Sequence, residues 1–271
     1  MRPKPRHMSA DYAARFKDPG IVAVYHRRPP YPLEVFSILT SLVRDERRRV
    51  LDVGCGPGDI ARHLVTDVDH VDAVDYSLGM IQQGQRSLGG DHPNLTWIHG
   101  AIEEAQLSPP YALITAGDSL HWFAWEIVFP RFAEILTPNG VLAIVSRDWL
   151  GPPALHERLL PIIERYSTNR DYRPSDLIEE LELRGLFEKL GERRSLQESW
   201  RPTETEYLES LHSTNSLSLS LLGDQAAPFA EAVREVLRES CRVGLIECHD
   251  GRLELAVEAR VVWGKPVIAA A

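Results

Sequence analysis

The stretch VLDVGCGPGDI, residues 50–60, decides the fold of this chain. An apolar run is followed by an aspartate and then by Gly54, Gly56 and Gly58, after which the spacing of apolar residues becomes helical. Glycine lets the backbone turn tightly and approach a ligand without a Cβ collision, and free amides at a helix start favour polar groups. The stretch therefore predicts a nucleotide-type binding turn after the first strand of an α/β sheet.

Further apolar stretches follow this turn at regular intervals. They are HVDAVD (70–75), LTWIHG (95–100), YALITAG (111–117) and GVLAIVS (140–146). Segments with helical spacing separate them, and strands that alternate with helices pair in parallel. Because the strands are apolar throughout, both faces of their sheet are expected to be covered. The pattern predicts a doubly wound, Rossmann-like α/β core of mostly parallel strands.

The chain divides by pattern into four segments. Residues 1–45 form a tail and a helical extension, and residues 46–150 form the core with the binding turn. Residues 151–240 are expected to supply a helical cap and a segment that completes the sheet. Residues 241–271 hold an alternating apolar run that predicts the C-terminal strand of the core sheet.

Leucines with helical spacing define the cap. Leu177 and Leu181 share one helical face, and we expect Leu186 and Leu190 to continue it further along the chain. These leucines are therefore predicted to lie in helices of the cap.

Composition and charge exclude several classes of protein. With 44% apolar and 25% charged residues, the 271-residue chain has the composition of a globular protein rather than a disordered one. Its net charge of -9 has the wrong sign for general attraction to nucleic acids or anionic lipids. No apolar run approaches the length of a membrane-spanning helix. We expect neither nucleic acid nor membrane as a partner, and the sequence leaves the oligomeric state open.

The cysteines indicate a reducing environment. Cys55, Cys241 and Cys248 are too few for a disulfide scaffold, and together with His249 they match no zinc-binding spacing. A cytoplasmic location and no bound metal are therefore expected. Cys55 is interpreted as a small side chain inside the glycine turn rather than as a nucleophile.

Two residues indicate which nucleotide the turn binds. A dinucleotide fingerprint would need glycine at the position of Asp59, whose carboxylate would repel a pyrophosphate. No phosphate-binding P-loop motif occurs in the chain. Asp75 ends the second strand, where a carboxylate can accept hydrogen bonds from a ribose diol. An adenosine cofactor without a pyrophosphate fits these features best.

Four stretches together resemble the class I S-adenosylmethionine-dependent methyltransferases: VLDVGCGPG, AVDYSLGMI (73–81), GAIEEAQL (100–107) and LTPNGVLAIV (136–145). The chain is further similar to the trans-aconitate methyltransferase-like group of small-molecule enzymes, through YHRRPPYP ahead of the first strand and SLHWF after the fourth. The resemblance implies a seven-stranded sheet with one antiparallel strand. It also implies S-adenosylmethionine as the cofactor, a small organic methyl acceptor, and a cofactor site across the ends of strands one to four.

The resemblance assigns cofactor-binding roles by position. The glycine turn would hold the methionine half, Asp75 the ribose, and backbone at position 101 the edge of the adenine, where many relatives carry an aspartate in place of Ala101. Arg28 would pair with the methionine carboxylate. The full set implied for the cofactor is Arg28, Asp52, Gly54, Gly56, Gly58, Asp75, Tyr76, Met80, Ala101, Ile102 and Ala116.

The acceptor side is expected at the carboxyl ends of strands four and five. We assign substrate binding to Tyr25, His121, Trp122 and Trp149. Neutral His121 is the candidate catalytic base, although helical packing or capping explains a lone histidine equally well. Methyl transfer by in-line displacement needs positioning more than proton transfer.

Alternative functions remain open on the sequence alone. A catalytically idle binding or regulatory protein could keep this fold. A nucleic-acid methyltransferase is disfavoured by the net charge and by GDSLHW (117–122) where such an enzyme would carry its Pro-Pro motif, and an NAD oxidoreductase is disfavoured by Asp59.

Overall fold

The structure of the protein is a computed structural model that describes residues 3–268. The outermost parts of two predicted segments, residues 1–2 and 269–271, lie outside the described residues. The segment boundaries predicted from the sequence stay predictions.

One large sheet organises the described chain. Its strands in chain order are β1 (Arg49–Val53), β2 (His70–Asp75), β3 (Leu95–His99), β4 (Tyr111–Gly117), β5 (Leu136–Leu150), β6 (Phe187–Arg194), β7 (Glu198–Trp200) and β10 (Leu255–Pro266). A separate hairpin joins β8 (Cys248–His249) to β9 (Arg252–Leu253). Within the large sheet the strand order is β3-β2-β1-β4-β5-β10-β6.

The sheet confirms the predicted fold class. Strands β1 to β5 pair in parallel, and β10 runs antiparallel to its neighbour β5. The far side of β10 is paired in two parts, with β6 along Arg260–Pro266 and with β7 along Leu255–Val257. Because β6 and β7 share one side of the same strand, the eight strands occupy seven positions across the sheet.

Helices cover both faces of the sheet and build the cap. They are α1 (Ala10–Ala14), α2 (Pro19–Val24), α3 (Leu33–Leu42), α4 (Ala61–Leu64), α5 (Leu78–Gln85), α6 (Trp125–Ile135), α7 (Pro153–Tyr166), α8 (Leu177–Leu183), α9 (Glu204–His212), α10 (Leu219–Leu222) and α11 (Ala226–Arg242).

The sheet has a hydrophobic core on each face, and side chains of neighbouring residues in a central strand belong to different cores. Val50 of β1 belongs to a core with Leu39 of α3 and Leu64 of α4. Leu51, the next residue, belongs to the core on the other face with Phe132 of α6. Side chains alternate between the faces of a strand, so an apolar run such as 50–53 contributes to both cores at once.

The cap has a core of its own. Helices α7, α9 and α11 meet around Leu159, Tyr207 and Phe229, and the start of β10 joins them through Leu255. The N-terminal extension lies against the sheet at the carboxyl ends of its strands: Tyr76 donates a hydrogen bond to the carbonyl of Ala13. The extension is thereby held over the same end of the sheet as the glycine turn.

The prediction of a continuous helical face is wrong for Leu186 and Leu190. Helix α8 ends at Leu183, and Gly185 follows with a left-handed φ of 65°. Leu186 comes after this turn, and Leu190 lies in the edge strand β6, which pairs with β10. Pairing with this long strand overrides the local helical spacing, because a sheet edge satisfies the backbone of the whole segment.

Two features bear on expectations about environment. Cys241 and Cys248 form a disulfide, a pairing that the sequence pattern did not predict. Among residues 3–268, no helix combines the length and the apolar composition needed to cross a bilayer. The cytoplasmic location stays a prediction.

Candidate functional site

The glycine turn joins β1 to α4 and contains glycines of two kinds. A Cβ at Gly54 would lie 2.6 Å from Cβ of Ser119, and one at Gly58 would lie 2.4 Å from the Trp97 ring. At Gly56 the nearest atom would be a ring carbon of Tyr25 at 3.7 Å, an ordinary contact distance. Gly54 and Gly58 are thus required by packing within the protein, whereas Gly56 adopts a left-handed φ of 56° and a Cβ there would make only ordinary contacts.

Two buried aspartates hold the turn. Asp75 Oδ2 accepts a hydrogen bond of 2.8 Å from the Gly56 amide, and its Oδ1 accepts one of 2.7 Å from the Ser77 amide. Burial raises the pKa of Asp75, while these two hydrogen bonds oppose the shift by stabilising the carboxylate. The same carboxylate lines the cavity described below.

Asp52 supports the turn from beneath. Its Oδ1 accepts a 2.8 Å hydrogen bond from the Thr115 hydroxyl, and its Oδ2 accepts one of 3.2 Å from the Ala61 amide. Burial raises its pKa to about 7, against the effect of these hydrogen bonds. Helix α4, predicted to aim its amides at a ligand, is four residues long, and its first amide is bonded to Asp52.

A cavity opens above the turn at the carboxyl ends of β1, β2 and β4; we call it the first cavity. Three acidic residues line it, Asp75, Glu103 and Asp118, and no lysine, arginine or histidine is among its described lining residues. This position is the crevice between β1 and β4 where the direction of chain winding reverses, the usual ligand site of doubly wound sheets. Its charge favours a ligand that carries positive charge.

The first cavity brings together most of the residues predicted to bind cofactor or substrate. Those that line it are Tyr25, Gly54, Gly56, Asp75, Tyr76, Met80, Ala101, Ile102 and Trp122. Those that do not are Arg28, Asp52, Gly58, Ala116, His121 and Trp149.

Contacts elsewhere explain two of these exceptions. Trp149 packs against Trp200 in the core of the cap, with ring centroids 6.0 Å apart, and its predicted contact with substrate stays a prediction. Ala116 is fully buried within the core beneath the first cavity. Their strand positions matched the expected pattern, but the packing of the cap and sheet directs both side chains elsewhere.

Arg28 lies beside the first cavity rather than in its lining. Its Nε donates a 2.9 Å hydrogen bond to the Ser213 hydroxyl, and its guanidinium carbon is 4.3 Å from the ring centroid of Tyr25. Among the ion pairs of residues 3–268, none involves Arg28. Its positive charge therefore has no carboxylate partner within the described chain.

His121 occupies a short 3-10 turn, Leu120–Trp122, after β4. Its ring lies 4.2 Å from the ring of Trp122, and it lines a second cavity formed with Met8 of the N-terminal segment and Ile163 of α7. Burial lowers the pKa of His121 to about 4, although Asp118 acts in the opposite direction. The imidazole is thus neutral at physiological pH and only a weak proton acceptor.

The two cavities adjoin at Trp122, which lines both of them. The second cavity mixes apolar side chains with polar ones such as Asn169 and Asn215. A molecule placed there would meet a ligand of the first cavity at Trp122.

Sequence patterns missed Asp118 and Phe16, which both line the first cavity. Asp118 has a left-handed φ of 49° and accepts a 2.9 Å hydrogen bond from the guanidinium of Arg147 and one of 3.1 Å from the hydroxyl of Tyr31. An acidic residue at the end of a strand was the available signal, the same that identified Asp75. No sequence pattern indicated Phe16, because this residue lies at the cavity only once the N-terminal extension has folded against the sheet.

Comparison with known proteins agrees with this geometry. Residues 50–140 match a family model described as a methyltransferase domain. A malonyl-[acyl-carrier protein] O-methyltransferase of Halalkalibacterium halodurans is 31% identical over 122 residues, which are 42% of this chain and 43% of that protein. A trans-aconitate 2-methyltransferase of Rhizobium leguminosarum is 27% identical over 120 residues, 43% of this chain and 45% of that one. The chain thus spans less than half the length of these curated relatives.

A solved structure extends the comparison of folds. A protein of Anaeromyxobacter dehalogenans, provisionally described as a type II methyltransferase, superimposes with a TM-score of 0.60 at 23% identity, over 89% of this chain and 99% of its own. At this identity the likeness concerns the fold. The predicted resemblance to class I methyltransferases is confirmed, and residues 50–140 of the core carry the match to a methyltransferase domain.

Proposed function

We propose that this chain transfers a methyl group from S-adenosylmethionine to a small organic acceptor. The observation that carries the proposal is the first cavity, in which the glycine turn meets three carboxylates and no described cationic side chain. S-adenosylmethionine carries a sulfonium and an ammonium and has no phosphate. A dinucleotide would instead bring its pyrophosphate against like charges.

The residues present fit this cofactor. Each oxygen of Asp75 accepts one backbone hydrogen bond, and a carboxylate oxygen can accept a second, so the ribose hydroxyls still find acceptors there. Gly56 leaves room that a side chain would fill. Met80 and Ile102 supply an apolar wall for an adenine, and Arg28 supplies a cation without a carboxylate partner for the methionine carboxylate.

The second cavity is our proposed acceptor site. Trp122 lines both cavities, so they adjoin at this residue, and an acceptor in the second cavity would reach the methyl group past the edge of the indole ring. When bound, S-adenosylmethionine supplies an activated methyl group. The chain's part is to align the acceptor with it, an effect worth about 7 to 11 kcal/mol. His121 forms part of this wall and, with a pKa of about 4, positions the acceptor more than it takes its proton.

Calorimetry with S-adenosylmethionine tests the cofactor assignment. We expect wild-type protein to bind it and Asp75→Asn to weaken binding about 10- to 150-fold, because charge-assisted hydrogen bonds to the ribose are lost. Asp67→Asn removes the same charge from an exposed position and serves as the matched control, with unchanged affinity. Equal affinity of all three proteins, or no binding by the folded wild type, would contradict the assignment.

Turnover is tested separately with methyl-labelled cofactor. A panel of small carboxylic acids, amines and phenols is incubated with the wild-type protein, and release of S-adenosylhomocysteine is measured. We expect one class of acceptor to stimulate release. Cofactor binding without release on any acceptor would favour the alternative of an idle binding protein.

A further inference from the structure

We infer that Phe16, Tyr25 and Trp122 form an aromatic cage that selects the positively charged sulfonium of S-adenosylmethionine over the neutral thioether of S-adenosylhomocysteine. The inference rests on the proposed function. It assigns discrimination between the substrate and product forms of the cofactor to three named rings, two of them on the N-terminal extension.

The three rings line the first cavity together. The centroids of Phe16 and Trp122 are 5.7 Å apart with an angle of 61° between the planes, and those of Phe16 and Tyr25 are 6.4 Å apart at 77°. Rings at such steep angles form the walls of a corner rather than a stack. Each aromatic face carries negative charge density that attracts a cation.

The cage lies where the transferable methyl has to be. Tyr25 is above the glycine turn, since its ring is 3.7 Å from the position of a Cβ on Gly56. Trp122, at the other side, borders the proposed acceptor cavity. A group that connects a ligand on the turn to an acceptor in the second cavity would pass between these rings.

Two of these rings already hold a cation in this structure. The guanidinium carbon of Arg28 is 4.3 Å from the centroid of Tyr25 and 5.7 Å from that of Phe16, both within the range of a cation–π contact. Arg28 is held by two 2.9 Å hydrogen bonds to Ser213, and neither residue is among those that line the first cavity. The cavity side of the cage remains for a ligand, and no described basic side chain lines it.

Carboxylates strengthen the same preference. Asp75, Glu103 and Asp118 line the first cavity, and although Arg147 pairs with Asp118, the lining itself holds acidic side chains and no described basic one. They act on every part of a bound ligand, including the ammonium that both cofactor forms share. They also favour the charged sulfonium over the thioether, so the share of the preference that the cage contributes is the part lost when a ring is removed with the carboxylates left in place.

The N-terminal extension places two of the three rings. The Ser77 hydroxyl donates a 3.2 Å hydrogen bond to the carbonyl of Phe16, which ties the 3-10 turn Arg15–Lys17 to the end of β2. Tyr25 begins the next 3-10 turn and is linked to Arg28 through its hydroxyl at 3.2 Å. The extension is therefore part of the cofactor site and not only a cover for it.

Binding of the two cofactor forms tests the cage. Calorimetry gives the Kd of S-adenosylmethionine and of S-adenosylhomocysteine for wild type, Phe16→Leu, Tyr25→Leu and Phe16→Tyr. We expect the wild type to prefer S-adenosylmethionine. Each leucine variant should reduce that preference by about 2- to 30-fold, the range of one cation–π contact. Phe16→Tyr keeps a ring and should keep the preference.

Met80→Leu is the matched control inside the same cavity. It changes a contact expected at the adenine, which both ligands share, so it should alter both affinities equally and leave their ratio unchanged. Thermal melting confirms that each variant is folded, and having two leucine variants covers the case that one does not fold.

The outcomes separate the cage from the proposed function. If the wild type binds both ligands but the ratio is the same in Phe16→Leu and Tyr25→Leu, the cage is overturned and the cofactor assignment stands. A wild type with no preference between the ligands also overturns the cage. If the folded wild type binds neither ligand, both proposals fail.

Discussion

Replacing Asp52 with asparagine should remove a pH-dependent loss of stability that the wild-type chain carries at neutral pH. The side chain is 1% exposed and bonded to Thr115 and Ala61. Burial raises its pKa from 3.8 to about 7, with smaller upward contributions from Asp59 and Asp75. The substituted asparagine would keep the shape of the side chain and lose its titration.

The direction of this pH dependence follows from whether the folded or the unfolded chain binds the Asp52 proton more tightly. The folded chain keeps the proton on Asp52 up to about pH 7, whereas the unfolded chain releases it near 3.8. Between these values the folded state binds more protons, so the free energy of unfolding falls as pH rises. One pH unit corresponds to about 1.36 kcal/mol, and the loss between pH 5 and 8 is therefore about 3 kcal/mol.

Urea denaturation of both proteins at pH 5, 6, 7 and 8 measures this loss. The asparagine can accept from the Ala61 amide through its oxygen and donate to the Thr115 hydroxyl through its nitrogen, and whatever cost the substitution itself carries does not depend on pH. The quantity to compare is therefore the free energy of unfolding of Asp52→Asn minus that of wild type. This difference should rise by about 3 kcal/mol from pH 5 to 8, because only the wild type loses stability over this range. Asp67→Asn, at an exposed position, should show no such rise. A difference that is flat across this range would refute the reasoning.

Two further predictions concern the turn and the histidine. Gly56→Ala and Gly244→Ala both place a methyl at a left-handed φ, 56° and 69°, and each should lose about 1 to 2 kcal/mol of stability. Only Gly56→Ala should also lose affinity for S-adenosylmethionine in calorimetry, because Gly56 lines the first cavity, whereas a Cβ on Gly244 would lie in open space away from it. Equal affinity of the two variants for S-adenosylmethionine would contradict the placement of the cofactor. For His121, an NMR titration of the imidazole should give a pKa of about 4, and a midpoint near 6.5 would show that the ring is solvated. Once an acceptor is found, His121→Ala should lower the rate at pH 7 by less than about tenfold, because a base with so low a pKa accepts a proton poorly there.

The sequence by itself determined the sheet and the place of the site. The glycine turn, the apolar strands and Asp75 depend on patterns within a few residues, and parallel strands with helical connections allow few arrangements. Trp122 was placed by its position after the fourth strand, which determines the end of the sheet that it reaches, and Met80 was assigned through the resemblance to a known family.

Only the tertiary structure decided what these side chains do. Asp52 and Asp75 are both acidic residues of neighbouring strands, yet packing puts one beneath the glycine turn and leaves the other on the first cavity. The low pKa of His121 and the convergence of Phe16 with Trp122 likewise depend on segments far apart in the sequence. Desolvation and ring contacts are sums over all neighbours in space, and a pattern read along the chain contains only the neighbours in sequence.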